Sequence, residues 1–231
     1  VGGIDAYDLF HSSKVLNSLK NSFVVSLEIA SSSVTQVADV VLPVAAVTEK
    51  SGSFLNWEGR ARSFDAAVAE SLNRSDVRIL SALADAMGES IMLGTVSATA
   101  REIAQLGKWD GARAPFTPVA AGSAPAVSGD QAVLTSWRRL LDMGTMQRGE
   151  DNLAGTRRQT VAVISEKRAA AAGVVTGDQV RISNAHGSIT LPVLVEDIHD
   201  DAVWIPRNSF GSQALTALDA VHGELVTVVK A

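Results

Sequence analysis

The residues best suited to chemistry lie in the run Glu196-Asp197-Ile198-His199-Asp200-Asp201. Carboxylates and an imidazole within so short a span suit a hard or borderline cation. The more ordinary reading is a polar turn between two strands, and it is preferred here. His186 stands between Asn184 and Gly187, where turn residues are expected, so it too reads as structural. Trp57-Glu58-Gly59-Arg60 brings together an aromatic ring, an acid and a base. A glutamate so near an arginine more often pairs on a surface than carries protons, and a hairpin-packing role is preferred. Asn73-Arg74-Ser75 matches a glycosylation acceptor, yet no basic stretch followed by an apolar run marks a signal peptide, and the match is read as accidental.

Other chemistry lacks its residues. No GxGxxG, GxxxxGK[ST] or HExxH occurs, which removes the glycine-turn dinucleotide cradle, the P-loop and the zincin site, and there is no GxSxG elbow. The cysteine count is zero, so disulfides, a thiol nucleophile, thiolate zinc sites and Cys-ligated iron–sulfur clusters are excluded within this chain. The residues by themselves therefore give no catalytic, cofactor-binding or metal-binding set.

The elements fall into two parts of different character. Residues 1–107 read as an α/β lobe. Ser12 and Ser13 can cap a helix through Val15, Leu16 and Leu19, and Phe23 to Ile29 is a β-branched strand. Asp39 to Pro43 is a second, nearly all-apolar strand of the kind a parallel sheet buries on both faces. Ser51 to Phe64 reads as a hairpin around Gly59, and helices are expected from Ser75 to Gly88 and from Ser97 to Leu106. Residues 108–130, with Pro115, Pro118 and Pro125 among Ala, Gly and Ser, read as a linker. Residues 131–158 are expected to hold an amphipathic helix from Gln131 to Gln147, through Val133, Leu134, Trp137, Leu140, Leu141 and Met143, and then a loop from Arg148 to Arg158. Residues 159–231 contain many short alternating strands and one Ala-rich helix, Glu166 to Ala172, closed by Gly173, which suggests a small closed β-barrel.

The chain has 231 residues, 46% hydrophobic and 19% charged, enough to bury a core, and only 5% aromatic. Its formal net charge of -5 argues against a nucleic-acid binder, and no run of about 18 apolar residues marks a membrane span. The first residue is Val, followed by Gly2-Gly3, and the sequence is expected to be part of something longer.

The run Ala38-Asp39-Val40-Val41-Leu42-Pro43, then Glu49-Lys50-Ser51-Gly52-Ser53-Phe54 and Asn56-Trp57-Glu58-Gly59-Arg60, strongly resembles the molybdopterin oxidoreductase superfamily. The tail from Gly173, with Gly177-Asp178-Gln179-Val180, Asn184 to Gly187 and Ile205-Pro206, is similar to that superfamily's C-terminal double-psi barrel. Gly2-Gly3-Ile4-Asp5-Ala6-Tyr7-Asp8-Leu9 and Leu153-Ala154-Gly155-Thr156-Arg157 add a resemblance to the large iron–sulfur subunits of actinobacterial NADH-quinone oxidoreductases (respiratory complex I).

That resemblance implies a fold and a division of labour. The fold is an α/β lobe, a fragment of a molybdopterin oxidoreductase domain, followed by a double-psi barrel that resembles a molybdopterin-dinucleotide-binding domain. Iron–sulfur clusters held by a Cys-rich N-terminal part relay electrons from NADH to quinone, and the molybdopterin-like part is structural and without cofactor. The implied partners are other subunits of the cytoplasmic arm, at the inner face of the cell membrane, with no nucleic acid and no direct membrane insertion. In the superfamily's barrels a Gly-Ser-Asn followed by Leu-Thr helps hold the pterin. Here Gly211-Ser212-Gln213 replaces that Asn, before Ala214-Leu215-Thr216, which counts against pterin binding. Two alternatives stand: the C-terminal part of a formate dehydrogenase or nitrate reductase type of enzyme gripping molybdopterin guanine dinucleotide, and a stand-alone barrel acting as a binding module.

Overall fold

The computed structural model describes every residue except 1, 69, 93–94, 119–121 and 124. In chain order the strands are β1 Val25–Glu28, β2 Val40–Pro43, β3 Gly52–Leu55, β4 Ala61–Phe64, β5 Gln131–Trp137 and β6 Ala162–Ile164. They continue with β7 Gln179–Ser183, β8 Ser188–Val195, β9 Ala202–Pro206, β10 Asn208–Ser209, β11 Ser212–Gln213 and β12 Leu225–Lys230. The α-helices are α1 Ser12–Lys20, α2 Asp76–Ala86, α3 Val96–Leu106, α4 Asp151–Ala154, α5 Glu166–Ala172 and α6 Ala214–Ala217. Two compact units result: Val1–Ile4 with Ser22–Ala120, and Asp5–Asn21 with Ala121–Ala231.

In the first unit β1 and β2 pair in parallel, Val25 opposite Val40, and Gly2 bridges to Leu27. Asp39 ties the two strands together, because its carboxylate accepts the Val24 N–H at 2.7 Å. β3 and β4 form the expected antiparallel hairpin, from Gly52 opposite Phe64 to Leu55 opposite Ala61. Asn56 shapes its turn by accepting the N–H groups of Glu58 (3.0 Å) and Arg60 (2.9 Å) on one side-chain oxygen. Gly59, at φ 79°, takes a left-handed conformation that a side chain would resist. Glu49 is the hub beneath the hairpin. It accepts from the Ala46 N–H (2.8 Å), the Ser71 hydroxyl (2.9 Å) and the Asn73 amide (2.9 Å). Lys50 pairs with Asp76, at the start of α2. The segment read as a linker at 108–130 lies partly outside the described residues, at 119–121 and 124; residues 110–118 form neither helix nor strand.

The second unit is a closed barrel in which the strands run β12-β5-β9-β6-β8-β7. Its interior is aliphatic. Leu134, Ile164, Val180, Ile182, Val203 and Ile205 are each 0% exposed, and the alternation expected in β7 and β8 places Leu191 and Val193 inside as well. Residues 131–137 differ from the expectation: they are a strand, not the start of a helix. The apolar spacing that suggests a helix mixes two faces. Ala132 and Leu134 point into the barrel, while Trp137 is 59% and Leu140 90% exposed. The barrel therefore begins at residue 131, not 159.

Residues 5–21, which the sequence pattern assigns to the first lobe, pack on the barrel. Ser12 does not cap α1. Its buried hydroxyl donates to the Leu215 carbonyl at 3.2 Å, and His11, at φ 54°, holds the N-cap position. The Asn208 amide reaches Asp8 at 3.2 Å, Arg148 meets Asp5 at 3.2 Å, and the Arg207 guanidinium lies 4.6 Å from the centre of the Phe10 ring.

Two outcomes follow from these placements. Leu134→Ala opens a cavity in the barrel core and costs about 2–5 kcal/mol, whereas Leu140→Ala leaves thermal stability nearly unchanged; a helix through 131–147 would make the two losses comparable. Glu49 is held below its ordinary pKa, first by the Ala46 N–H and then by Asn73 and Ser71. Its stabilisation is thus complete above about pH 4.3 and is lost as pH falls through the lower folded-state value. Hydrogen exchange at the Ala46 amide, corrected for intrinsic rate, should quicken over that acid window, and Glu49→Gln should abolish the dependence.

Candidate functional site

A cavity of about 930 Å³ lies on the outside of the barrel. Its floor comes from strands whose other faces fill the core: Trp137 from β5, Val163 from β6, Leu194 from β8 and Trp204 from β9. The parallel register of β5 and β9, with Thr135 opposite Trp204 and Trp137 opposite Pro206, brings the two tryptophan rings to 5.1 Å between centres. Arg138, Arg139, Leu140 and Leu141 wall the cavity on the segment after β5, Thr156 and Arg158 come from the loop after α4, and Glu196, Ile198 and His199 from the turn after β8.

Its three arginines are held differently. Arg138 donates to Asp142 at 2.7 Å and lies 3.5 Å from Asp8, and the Asp142 hydrogen bond raises its pKa above the ordinary value. Arg139 stacks 5.1 Å above the Trp204 ring and donates to the carbonyls of Gln159 (2.7 Å) and Arg158 (3.4 Å). Its pKa is lowered, by burial first and by the nearby Arg158 charge second. Trp204 is 7% exposed, and its Nε1–H meets no acceptor among the described residues.

The residues singled out from the sequence fall elsewhere or serve the fold. In the acidic turn, Asp200 pairs with Lys167 of α5 at 3.2 Å, and its pKa is lowered by Ser165 first and Lys167 next. The Asp200 carbonyl accepts from Arg168 at 2.7 Å, and His199 accepts the Asp201 N–H at 3.2 Å. Among the described residues no three His, Cys, Asp or Glu side chains come together as a metal site. Of this cluster only Glu196, Ile198 and His199 reach the cavity. The His186 N–H donates to Asn184 at 2.9 Å within a turn. Trp57 is 94% exposed at the hairpin tip, where Glu58 and Arg60 pair at 3.1 Å. Asn73 serves Glu49, and Ser75 precedes α2 at its N-cap. The cavity was not singled out from the sequence. Its members lie on strands and loops far apart in the chain, and the local signals are only two of four tryptophans and the Arg138-Arg139 doublet.

Residues 4–86 match the family model for molybdopterin oxidoreductase, and residues 133–228 that for the molydopterin dinucleotide binding domain. The chain is 45% identical to the G subunit of NADH-quinone oxidoreductase from Mycobacterium bovis, over 99% of this chain and 29% of that protein. To the corresponding G subunit from Streptomyces coelicolor it is 42% identical, over 99% of this chain and 28% of that protein. The chain thus spans less than a third of the length of these curated relatives. Among solved structures, acetylene hydratase from Pelobacter acetylenicus superposes with a TM-score of 0.61 at 16% identity, covering 96% of this chain and 42% of that one, a likeness of fold.

The stretch that helps hold a pterin in that superfamily is turned to other use. The Ser212 side chain is buried and its hydroxyl donates to the Pro206 carbonyl, the Gln213 amide reaches the Met143 sulfur at 3.8 Å, and the Thr216 hydroxyl donates to the Gln213 carbonyl at 3.2 Å. In the facing turn the Asn184 amide donates to the Leu218 carbonyl at 2.7 Å while its oxygen accepts from His186 and Gly187. Each of these side chains thus has a partner within the chain, which counts against pterin binding, although the buried Ser209 hydroxyl, across the hairpin from Ser212, has none among the described residues. Gly187 presses so close to α6 that an added Cβ would lie 2.1 Å from the Ala217 carbonyl oxygen. Gly187→Ala should therefore push the turn off α6 and cost about 1–3 kcal/mol, while His186→Ala, at an exposed side chain, should leave the melting temperature unchanged.

Proposed function

We propose that this chain, whose residues 4–86 and 133–228 match the models for molybdopterin oxidoreductase and its dinucleotide binding domain, is a structural, cofactor-free portion of the large iron–sulfur subunit of an NADH-quinone oxidoreductase. One observation carries the reading: the polar residues at the pterin-holding stretch of the family are committed to the barrel's own hydrogen bonds. The signature residues of the first unit support it in the same way. Asp39 joins two strands, Glu49 anchors three neighbours and Asn56 forms a turn, so each of these side chains has a role within the fold.

Electrons pass from NADH to quinone through clusters held outside this chain, whose sequence contains no cysteine. The chain braces the cluster-bearing part and docks among the other subunits of the cytoplasmic arm. No helix among the described residues is long and apolar enough to cross a membrane, in keeping with a peripheral place.

Deleting residues 131–231 from the full-length subunit tests the reading. Assembly of the complex should fail while the paramagnetic signals of the clusters in the remaining subunit persist, and elemental analysis of the intact subunit should find iron without molybdenum. Intact assembly with a lost molybdenum or pterin signal would replace this reading with that of a molybdopterin guanine dinucleotide enzyme.

A further inference from the structure

We propose that the cavity beside Trp137 and Trp204 docks an acidic segment of a partner polypeptide, seating a bulky apolar side chain against the two tryptophans and a carboxylate against Arg139 and Arg158. The proposal deepens the scaffold reading and rests on it for the kind of partner, a polypeptide of the same assembly.

Charge complementarity is the first ground. Three arginines line the cavity against one carboxylate, Glu196, in a chain whose formal net charge is -5. Arg138 already has its counter-charges in Asp142 and Asp8. Arg139 is fixed by neutral carbonyls and a ring face, and Arg158 has no anionic partner among the described residues. Two guanidinium groups thus line one cavity without an ion-pair partner of their own among the described residues, and the Arg139 pKa is lowered by burial first and by the Arg158 charge second. An incoming carboxylate relieves that repulsion in a partly desolvated place, where charge-assisted hydrogen bonds are strong.

Shape and composition give the second ground. Trp137 is 59% exposed although the barrel's own core is complete beneath it. Leu140 stands 90% exposed at the rim, and Met146, 96% exposed, extends the apolar surface along the same connecting segment. A cavity of about 930 Å³ is near the upper end for small-molecule sites, and exposed apolar side chains outside it suit a longer, chain-like guest. Tryptophan and arginine are also the residue types in which interface energy concentrates.

The test measures binding of fluorescein-labelled octapeptides to the 231-residue chain by fluorescence anisotropy at low salt. The panel holds an acidic peptide with a central Phe-Leu pair, the same peptide with lysines for the acids, and the acidic peptide with Gly-Ser for the apolar pair. Only the first should bind, and Trp137→Ala or Arg158→Glu should each weaken it about tenfold or more, as truncation of an interface anchor does. Trp109→Ala, in the other unit, should change nothing. Failure of the acidic apolar peptide to bind, equal binding of all three, or indifference to Arg158→Glu would overturn the proposal. So would full displacement by equimolar indole-3-acetate, which would make the cavity a small-anion site. Because the readout is binding to the isolated chain, it can fail while the assembly experiment succeeds, and the reverse.

Discussion

Every hydrogen-bonded strand pair in the barrel joins one half of the unit to the other. Counting the six barrel strands in chain order, the closed arrangement reads sixth, first, fifth, second, fourth, third. Exchanging the first three strands for the last three returns the same arrangement, and it swaps the two parallel pairs, β5 with β9 and β6 with β8. The halves are therefore related by a pseudo-twofold, and neither holds a pair of neighbouring strands. Neither can form a sheet alone. Closure waits on long-range pairing, which is entropically slow to establish and cooperative once made. The segment around residue 131 has to be a strand because β9 and β12 would otherwise each lack a neighbour.

This interleaving also decides what the barrel shows to its surroundings. Strands that alternate strictly must send every second side chain outward, and where β5 and β9 run parallel the outward residues include Trp137 and Trp204. The cavity is a by-product of the register, walled by the connection after β5 and the turn after β8. The first unit obeys a looser rule. Its two parallel strands leave Val40 38% and Val41 43% exposed, and neither α2 nor α3 buries a side chain fully. Parallel strands ordinarily have both faces covered; here polar ties such as Asp39 and Glu49 accompany a small apolar core of Val24, Val34, Val44 and Ala45.

Sequence pattern carried far where the determining contacts are local. The hairpin follows from Asn56 and Gly59, the helix from Glu166 to Ala172 ends where Gly173 takes a left-handed φ of 63°, and alternation in β7 and β8 names their buried residues. It failed where the partner is distant. Val133, Leu134, Trp137, Leu140 and Leu141 keep helical spacing, yet Ala132 and Leu134 are drawn inward by strands some 70 to 90 residues away, from Ala202 in β9 to Leu225 in β12. Ser12 has the chemistry of an N-cap, but its hydroxyl is taken by Leu215, 203 residues on. The cavity was illegible for the same reason, since Arg139 and Trp204 become neighbours only through the barrel.

A barrel that holds a ligand at its mouth must keep donors there unsatisfied until the ligand arrives, and buried donors without acceptors are costly, at about 1–3 kcal/mol each. Here Ser212, Gln213 and Asn184 are all bonded within the chain and Gly187 is seated on α6, while the buried Ser209 hydroxyl, across the hairpin from Ser212, has no partner among the described residues. Along the side of the barrel Arg139 and Arg158 line the cavity with Trp204, whose Nε1–H meets no acceptor among the described residues. The aliphatic interior is packed from side chains that touch one another. Stability and binding are thereby uncoupled, so the outer face can serve as a contact surface without weakening the core that presents it.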